Sequence, residues 1–481
     1  MTTVLAIDQG TSGTKAMVVD GADQVLSVVE LPVRPHYLSG GGVEQDPQEL
    51  LDSVLDSGRQ AVAAAGVPVE CVTLANQGET VLAWDPATGR PLSQAIVWQD
   101  RRAAEICAKR GDSAELVGER TGLVLDPYFS APKMRWIREQ LTTEGVVTTS
   151  DAWLVRQLTG EFVTDASTAS RSLLIDLDSV SWDPELLALF DLAEEDLPRI
   201  VTNDEVIGET TLFGEPAPVG GLVVDQQAAL LAQRCLTPGE AKCTFGTGAF
   251  LLANMGQAPV RSSSGLAASV AWRVRGGTSY CFDGQVATAA SAVRWLQGLG
   301  LIQGASDLDR VATADSDGVL CVPALAGLSA PWWAPDARAS FSGMTLSTEA
   351  GHLVKAVLDG IAAQVAELVD CAARDIGKPL SRLRVDGGLT RSRVLMQAVA
   401  DLLQVQVDVY PSAHATALGA AGFARAAADP GLPLDQAVVD WTPSTSFAPQ
   451  LGADTAAAFR ARWRVAVDTA LTSDRKIQED S

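Results

Sequence analysis

Residues 4–19 read VLAIDQGTSGTKAMVV, two apolar runs joined by a turn that holds Asp8, Gly10, Thr11, Ser12, Gly13, Thr14 and Lys15. The pattern predicts strand, turn, strand. Glycine and small polar residues are what hairpins use, so a plain turn accounts for much of the loop. An acid, three hydroxyls and a lysine also fit a second role. Backbone N–H groups, hydroxyls and a cation converging on one loop form a site for a phosphate chain. The stretch is not a P-loop, whose GxxxxGK[ST] stands between a strand and a helix. Taken alone it leaves both roles open.

The remainder of the chain narrows the choice. With 481 residues it exceeds what a single core fills, and two large domains are expected. Hydrophobic residues make up 47% and charged residues 20%, which excludes wholesale disorder. The net charge of −23, without any Lys/Arg-rich block, removes the electrostatic footprint of a nucleic-acid binder and disfavours anionic membranes. Seven scattered cysteines without a CxxC pair, and three histidines without ligand spacing, argue against a disulfide framework or structural metal. No basic leader and no long apolar run is present, so a cytoplasmic protein without a membrane span is expected.

Along the chain, strands are predicted at 4–8, 15–20 and 24–30, and a helix over 47–65 with Asp46 as its N-cap. Further strands are expected at 69–77 and 80–85, with helical patterns at 101–110, 113–120 and 131–140. GGLVVDQQAALLAQ (220–233) is an apolar strand that stops at Asp225 and continues as a helix. The order then restarts. GEAKCTFGTGAFLLANM (239–255) repeats strand, Gly/Thr turn, strand, and RLRVDGG (382–388) is a strand ending at an acid and two glycines. A helix is expected over 351–371 from its apolar stripe. The boundary between halves falls near 234–240, and a cleft between them is the natural ligand site.

Two longer stretches, YFSAPKMRWIREQ (128–140) and ASFSGMTLSTEAGHLVKAVLD (339–359), resemble the two signatures of the FGGY carbohydrate kinases. Within that family IDQGTSGTKA, NQGET, AIVWQDRR, TGLVLDPYFSAPK, DQQAAL, FGTGAF and LRVDGG are most similar to glycerol kinases, and the likeness runs from residue 4 to about 460. The resemblance implies an α/β fold of two ribonuclease-H-like domains of the actin, Hsp70 and hexokinase type, residues 1–236 and 237–481, with ATP and acceptor meeting in the cleft. It implies ATP and Mg²⁺ as cofactors and a small polyol or sugar as partner. Glycerol leads, and a longer polyol or ketose such as erythritol, xylulose or ribulose is the alternative. A non-kinase ATPase of the same superfold is the rival from another class. Homodimers or homotetramers are common in the family.

The resemblance also assigns residues. Asp225 matches the general base, with a helix N-cap as its ordinary alternative. Asp8, with Asp225, matches the metal side. Thr11, Ser12 and Lys15 match contacts to the nucleotide phosphates, and Gly246, Thr247, Ala290, Gly388 and Ser392 match the remaining nucleotide positions. Glu79, Tyr128, Asp225 and Gln226 match ligands of acceptor hydroxyls, and Trp98 and Phe250 match the wall against its carbons. The ordinary alternatives are core packing for the two aromatics and a solvated loop acid for Glu79. Four positions depart from the glycerol kinase pattern. Lys15 replaces an arginine, Ala290 a glycine and Ser392 an asparagine. Gly78 replaces the arginine of N-Q-R-E-T, which removes five fixed donors from the acceptor end. Arg101 and Arg102 lie beyond Trp98 in sequence. The short FGEPAPVGG connection (213–221) lacks the basic loop associated with fructose-1,6-bisphosphate inhibition, and that regulation is not expected.

Overall fold

The strand Val4–Gln9 pairs antiparallel with Gly13–Val19, which sets Asp8 opposite Lys15 and Gln9 opposite Thr14. Gly10 N–H donates to the Gly13 carbonyl at 3.0 Å and closes the turn. The other edge of Val4–Gln9 pairs parallel with Cys71–Asn76, so the hairpin is the centre of its sheet. Chemically, successive side chains of a strand point to opposite faces. Leu5, Ile7, Ala16 and Val18 meet Leu50 and Val54 of the helix Pro47–Ala65. Val4, Ala6, Met17 and Val19 meet Leu418 and Ala421 of the helix Ala415–Ala428. Both faces are covered, and the strand reads as an uninterrupted apolar run for that reason.

This computed structural model describes residues 2–479, with side chains through residue 472. The second half repeats the plan. Ala241–Phe245 pairs antiparallel with Ala249–Gly256 and parallel with Arg382–Asp386. The sheet runs 267–274, 277–286, 249–256, 241–245, 382–386, 406–409, 445–447. Each half thus has a hairpin with a third antiparallel strand on one side and a parallel strand on the other. The expected strands and helices are present with shifts of a few residues at their ends. The helix read over 351–371 runs Ala350–Ile376, and the pattern at 101–110 is helical only over Ala104–Ala108. Asp46 caps Pro47–Ala65 by accepting from Gln48 N at 2.7 Å. A further sheet of five short strands flanks the first domain and includes Val81–Trp84 and Val146–Thr149.

The halves are interlocked, since Ala415–Ala428 comes from the second half and covers the first sheet. It crosses the helix Asp225–Ala232 so closely that a Cβ on Gly419 would lie 1.8 Å from the Ala228 carbonyl oxygen. All seven cysteines are free and buried, and among the described residues no helix is long and apolar enough to cross a membrane. A methyl group at the helix crossing has nowhere to go, and overpacking of this kind costs about 1–3 kcal/mol or more. Gly419→Ala is therefore expected to lower the urea midpoint by a corresponding amount. An unchanged midpoint would show that the two helices part without cost.

Candidate active site

A cleft of about 1000 Å³ lies between the two sheets, with Thr11, Glu79 and Asp225 on one wall and Thr247, Phe250 and Arg294 on the other. Asp225 reaches it because the strand Val223–Val224 runs parallel to Cys71–Asn76 and ends there. The cap position of the following helix belongs to Val224, so Asp225 is the first helical residue and not the N-cap. Its carboxylate accepts from Gln226 N at 2.6 Å. Burial, then the neighbouring Asp8 and Glu79 carboxylates, push its carboxyl up to about 7 against the pull of Lys242. Asp8 is pushed up to about 6, chiefly by burial, with Lys15 opposing from across the hairpin. Each carboxylate lacks enough nearby positive charge to offset desolvation.

The wall of the cleft around Trp98 is built from aromatic edges and one buried acid. Trp98 meets Tyr128 edge-on with centroids 5.6 Å apart, and Phe250 of the second domain at 6.1 Å. The Trp98 indole N–H donates to the Thr11 hydroxyl at 2.8 Å, which ties this wall to the hairpin turn. Tyr128 is held from behind by Lys133, whose buried ammonium donates to the carbonyls of Pro127, Tyr128 and Phe129. Glu79 is only 4% exposed, so it is not a solvated loop acid. Trp98 and Phe250 line the cleft and are not plain core. Arg101 lines it too, in a two-pronged pair with Asp126, whereas Arg102 is bound to Asp100 and Glu44. Gly78 has Val224 beside it, and a Cβ there would lie 2.9 Å from Val224 Cγ2.

On the other wall the Gly246–Thr247–Gly248 turn carries the start of the helix Ala290–Gly298. Ala290 N–H donates to the Gly246 carbonyl at 3.1 Å and Ser291 N–H to that of Thr247 at 3.2 Å. The turn after Arg382–Asp386 lies against the same spot. Gly387 has φ 94, and a Cβ on it would lie 2.4 Å from the Phe245 carbonyl oxygen. The structure therefore gathers Thr11, Ser12, Gly78, Glu79, Trp98, Tyr128, Asp225, Gln226, Thr247 and Phe250 around one cleft. Asp8, Lys15, Gly246, Ala290 and Gly388 sit behind or beside that lining. Ser392 is further off, its hydroxyl committed to Asp309 at 2.7 Å and to capping Leu395 N.

The model of the N-terminal domain of the FGGY family of carbohydrate kinases matches residues 3–232, and that of the C-terminal domain matches 241–428. The chain belongs to the FGGY family of carbohydrate kinases. Among curated relatives, it is 43% identical over 489 residues to the glycerol kinase of Bordetella parapertussis, covering 97% of this chain and 96% of that one. The glycerol kinase of Alkalilimnicola ehrlichii is 43% identical over 447 residues, 89% and 90% of the two chains. Among solved structures, Plasmodium falciparum glycerol kinase with ADP superposes with a TM-score of 0.91 at 32% identity over 98% of each chain. The xylulose kinase of Rhodospirillum rubrum superposes with a TM-score of 0.87 at 26% identity, covering 98% and 100%. This FGGY kinase is glycerol-kinase-like in sequence across nearly its whole length.

Three cations of this kinase were not singled out from the sequence. Arg171 is buried against Glu79, and Arg294 faces the cleft with no hydrogen-bond or ion-pair partner among the described residues. Lys242 is wholly buried in the strand Ala241–Phe245. Its ammonium donates to the Gln226 side-chain oxygen across the domain boundary and to Thr244 at 2.9 Å, and Thr244 donates to Asp386 at 2.5 Å. One cation thus links Gln226 on the cleft wall to the strand that precedes Gly387. The signal was legible, since a lysine inside an otherwise apolar strand is rarely buried without a job. Lys242→Met keeps the length and removes the charge. It is expected to lower kcat at least about tenfold in steady-state assays, with the thermal midpoint little changed. Wild-type turnover in that variant would leave the lysine without a part in the reaction.

Proposed function

We propose that this kinase transfers the terminal phosphoryl group of ATP to glycerol, giving glycerol 3-phosphate and ADP. The observation that carries the proposal is the company Asp225 keeps. A carboxylate pushed up to about 7 stands in one cleft with a buried acid, a tyrosine and two aromatic faces suited to a small polyol. Phosphoryl transfer calls for positioning and charge neutralisation more than covalent help. Asp225 takes the proton of the attacking hydroxyl, and a base poised near neutral pH is suited to that step. Glu79, Tyr128 and Gln226 pair with hydroxyls, while Trp98 and Phe250 pack on the C–H surface. The Thr11 oxygen already accepts from Trp98, which leaves its own proton to donate to a phosphate oxygen. Ser12 and Lys15 join it on the phosphates, with Gly246, Thr247, Ala290 and Gly388 toward the rest of the nucleotide, whereas the Ser392 hydroxyl is already committed to Asp309.

Among the described residues no group of three or more His, Cys, Asp or Glu could hold a metal ion alone. The pair Asp8 and Asp225 nonetheless fits Mg²⁺, which takes one or two carboxylates and draws its other ligands from phosphate and water. When bound it neutralises phosphate charge. The second candidate acceptor is a four- or five-carbon polyol or ketose. Gly78 favours it, because the loop carries no side chain toward the acceptor there.

A coupled ADP-release assay with Mg-ATP and glycerol, erythritol, ribitol, xylulose, ribulose or no acceptor tests the proposal. Turnover is expected to be greatest with glycerol. Turnover with a longer acceptor alone moves the specificity, and equal slow release in every vessel points to an ATPase. Asp225→Asn is expected to cut turnover by about 10²–10⁴-fold while the Kd for a non-hydrolysable ATP analogue stays within about threefold by calorimetry.

A further inference from the structure

We propose that Arg171 is the positioning residue of the acceptor pocket, fixing the Glu79 carboxylate and tying that wall to the opposite domain through Asp283. The proposal rests on the acceptor pocket described above. Arg171 is 3% exposed, and a charge so buried persists only when paired and hydrogen-bonded. Two arms of its fork make hydrogen bonds and the third is ion-paired. Nε donates to Glu79 Oε1 at 2.6 Å, Nη1 stands 2.6 Å from Asp283 Oδ2, and Nη2 reaches the Tyr128 hydroxyl at 3.4 Å. The guanidinium carbon lies 5.6 Å and 5.3 Å from the ring centroids of Tyr128 and Phe129. Two residues of the acceptor wall are therefore held by one planar group.

Glu79 shows why such a group is needed. Its backbone is left-handed, with φ 61, a conformation that persists in a non-glycine residue only where the surroundings hold it. Arg171 occupies Oε1, and among the described residues nothing donates to Oε2, which is the oxygen left for an acceptor hydroxyl. The loop cannot supply the cation itself, because the residue before Glu79 is Gly78. The guanidinium comes instead from a turn after the short helix Ala166–Ala169, where Arg171 N–H donates to the Thr168 carbonyl at 3.0 Å. Asp283 does not line the cleft. It sits on the strand Gly277–Val286 of the second domain, two residues before Gln285, which does. Its contact with the acceptor pocket is made through Arg171.

The test is steady-state kinetics of the full-length enzyme, varying glycerol at saturating Mg-ATP and Mg-ATP at saturating glycerol. Arg171→Gln is expected to raise the acceptor KM about ten- to a hundredfold, with the ATP KM within about twofold of wild type. Arg171→Lys keeps the charge without the fork and falls between. Asp283→Asn also raises the acceptor KM, and the double variant is no worse than Arg171→Gln alone. Acceptor and ATP KM rising together, or an unmoved acceptor KM, overturns the proposal in favour of a purely structural ion pair. Should Arg171→Gln fail to fold, the same split in Asp283→Asn decides. Wild-type turnover with a longer acceptor alone refutes glycerol but leaves the comparison to be made with that acceptor. No turnover with any acceptor refutes the kinase proposal and this one with it.

Discussion

The Ala228 carbonyl and Gly419 stand too close for one carbon atom between them, and a helix of each half meets the other at that contact. Asp225 lies one turn before Ala228 on the same helix. The second helix is packed on the central strand that carries Asp8. Asp225, the acid of the hairpin and the helix from the second domain thus all adjoin one backbone-to-backbone meeting. A contact between main chains cannot relax by changing rotamer, so the two helices meet at a fixed separation.

Charge is then placed against the grain of the whole molecule. The chain carries 59 acidic and 36 basic side chains, and its cleft gathers further acids in Asp8, Glu79 and Asp225. Burial raises all three. Apart from Lys15 beside Asp8, the cations among them are internal. Lys133 holds the Tyr128 loop, Arg171 holds Glu79, and Lys242 bridges Gln226 and Thr244. None is a surface counter-charge screened by salt. Each is desolvated, and each costs enough to bury that its partners are held in a narrow range of positions.

Much of this was legible beforehand. The hairpin at residues 4–19 and its counterpart at 241–256 follow from apolar runs broken by Gly/Thr turns. The helix Pro47–Ala65 follows from its cap and proline. What escaped has a physical reason. The covering of the first sheet by Ala415–Ala428 is a pairing across some four hundred residues, and an alanine-rich helix has no stripe that points to its partner. Arg171 sits in a run of small residues, with neither a motif of its own nor an acid one helical turn away. Its partners Glu79 and Asp283 come from both domains. Gly78 marks a missing arginine beside Glu79, and only the folded chain shows that Arg171 is the cation that pairs with Glu79.

The cysteines have a practical corollary. Seven thiols are enclosed and singly placed, with burial pushing Cys71, Cys107 and Cys281 up to about 12 and Cys235 up to about 11. A thiol that neither ionises nor meets solvent is inert to alkylating probes. The natural chain is therefore already a silent background for spectroscopy. One cysteine added to the rim of each domain would be labelled selectively, and the opening of the cleft could be followed as a distance in solution without first stripping the protein of its own sulfur.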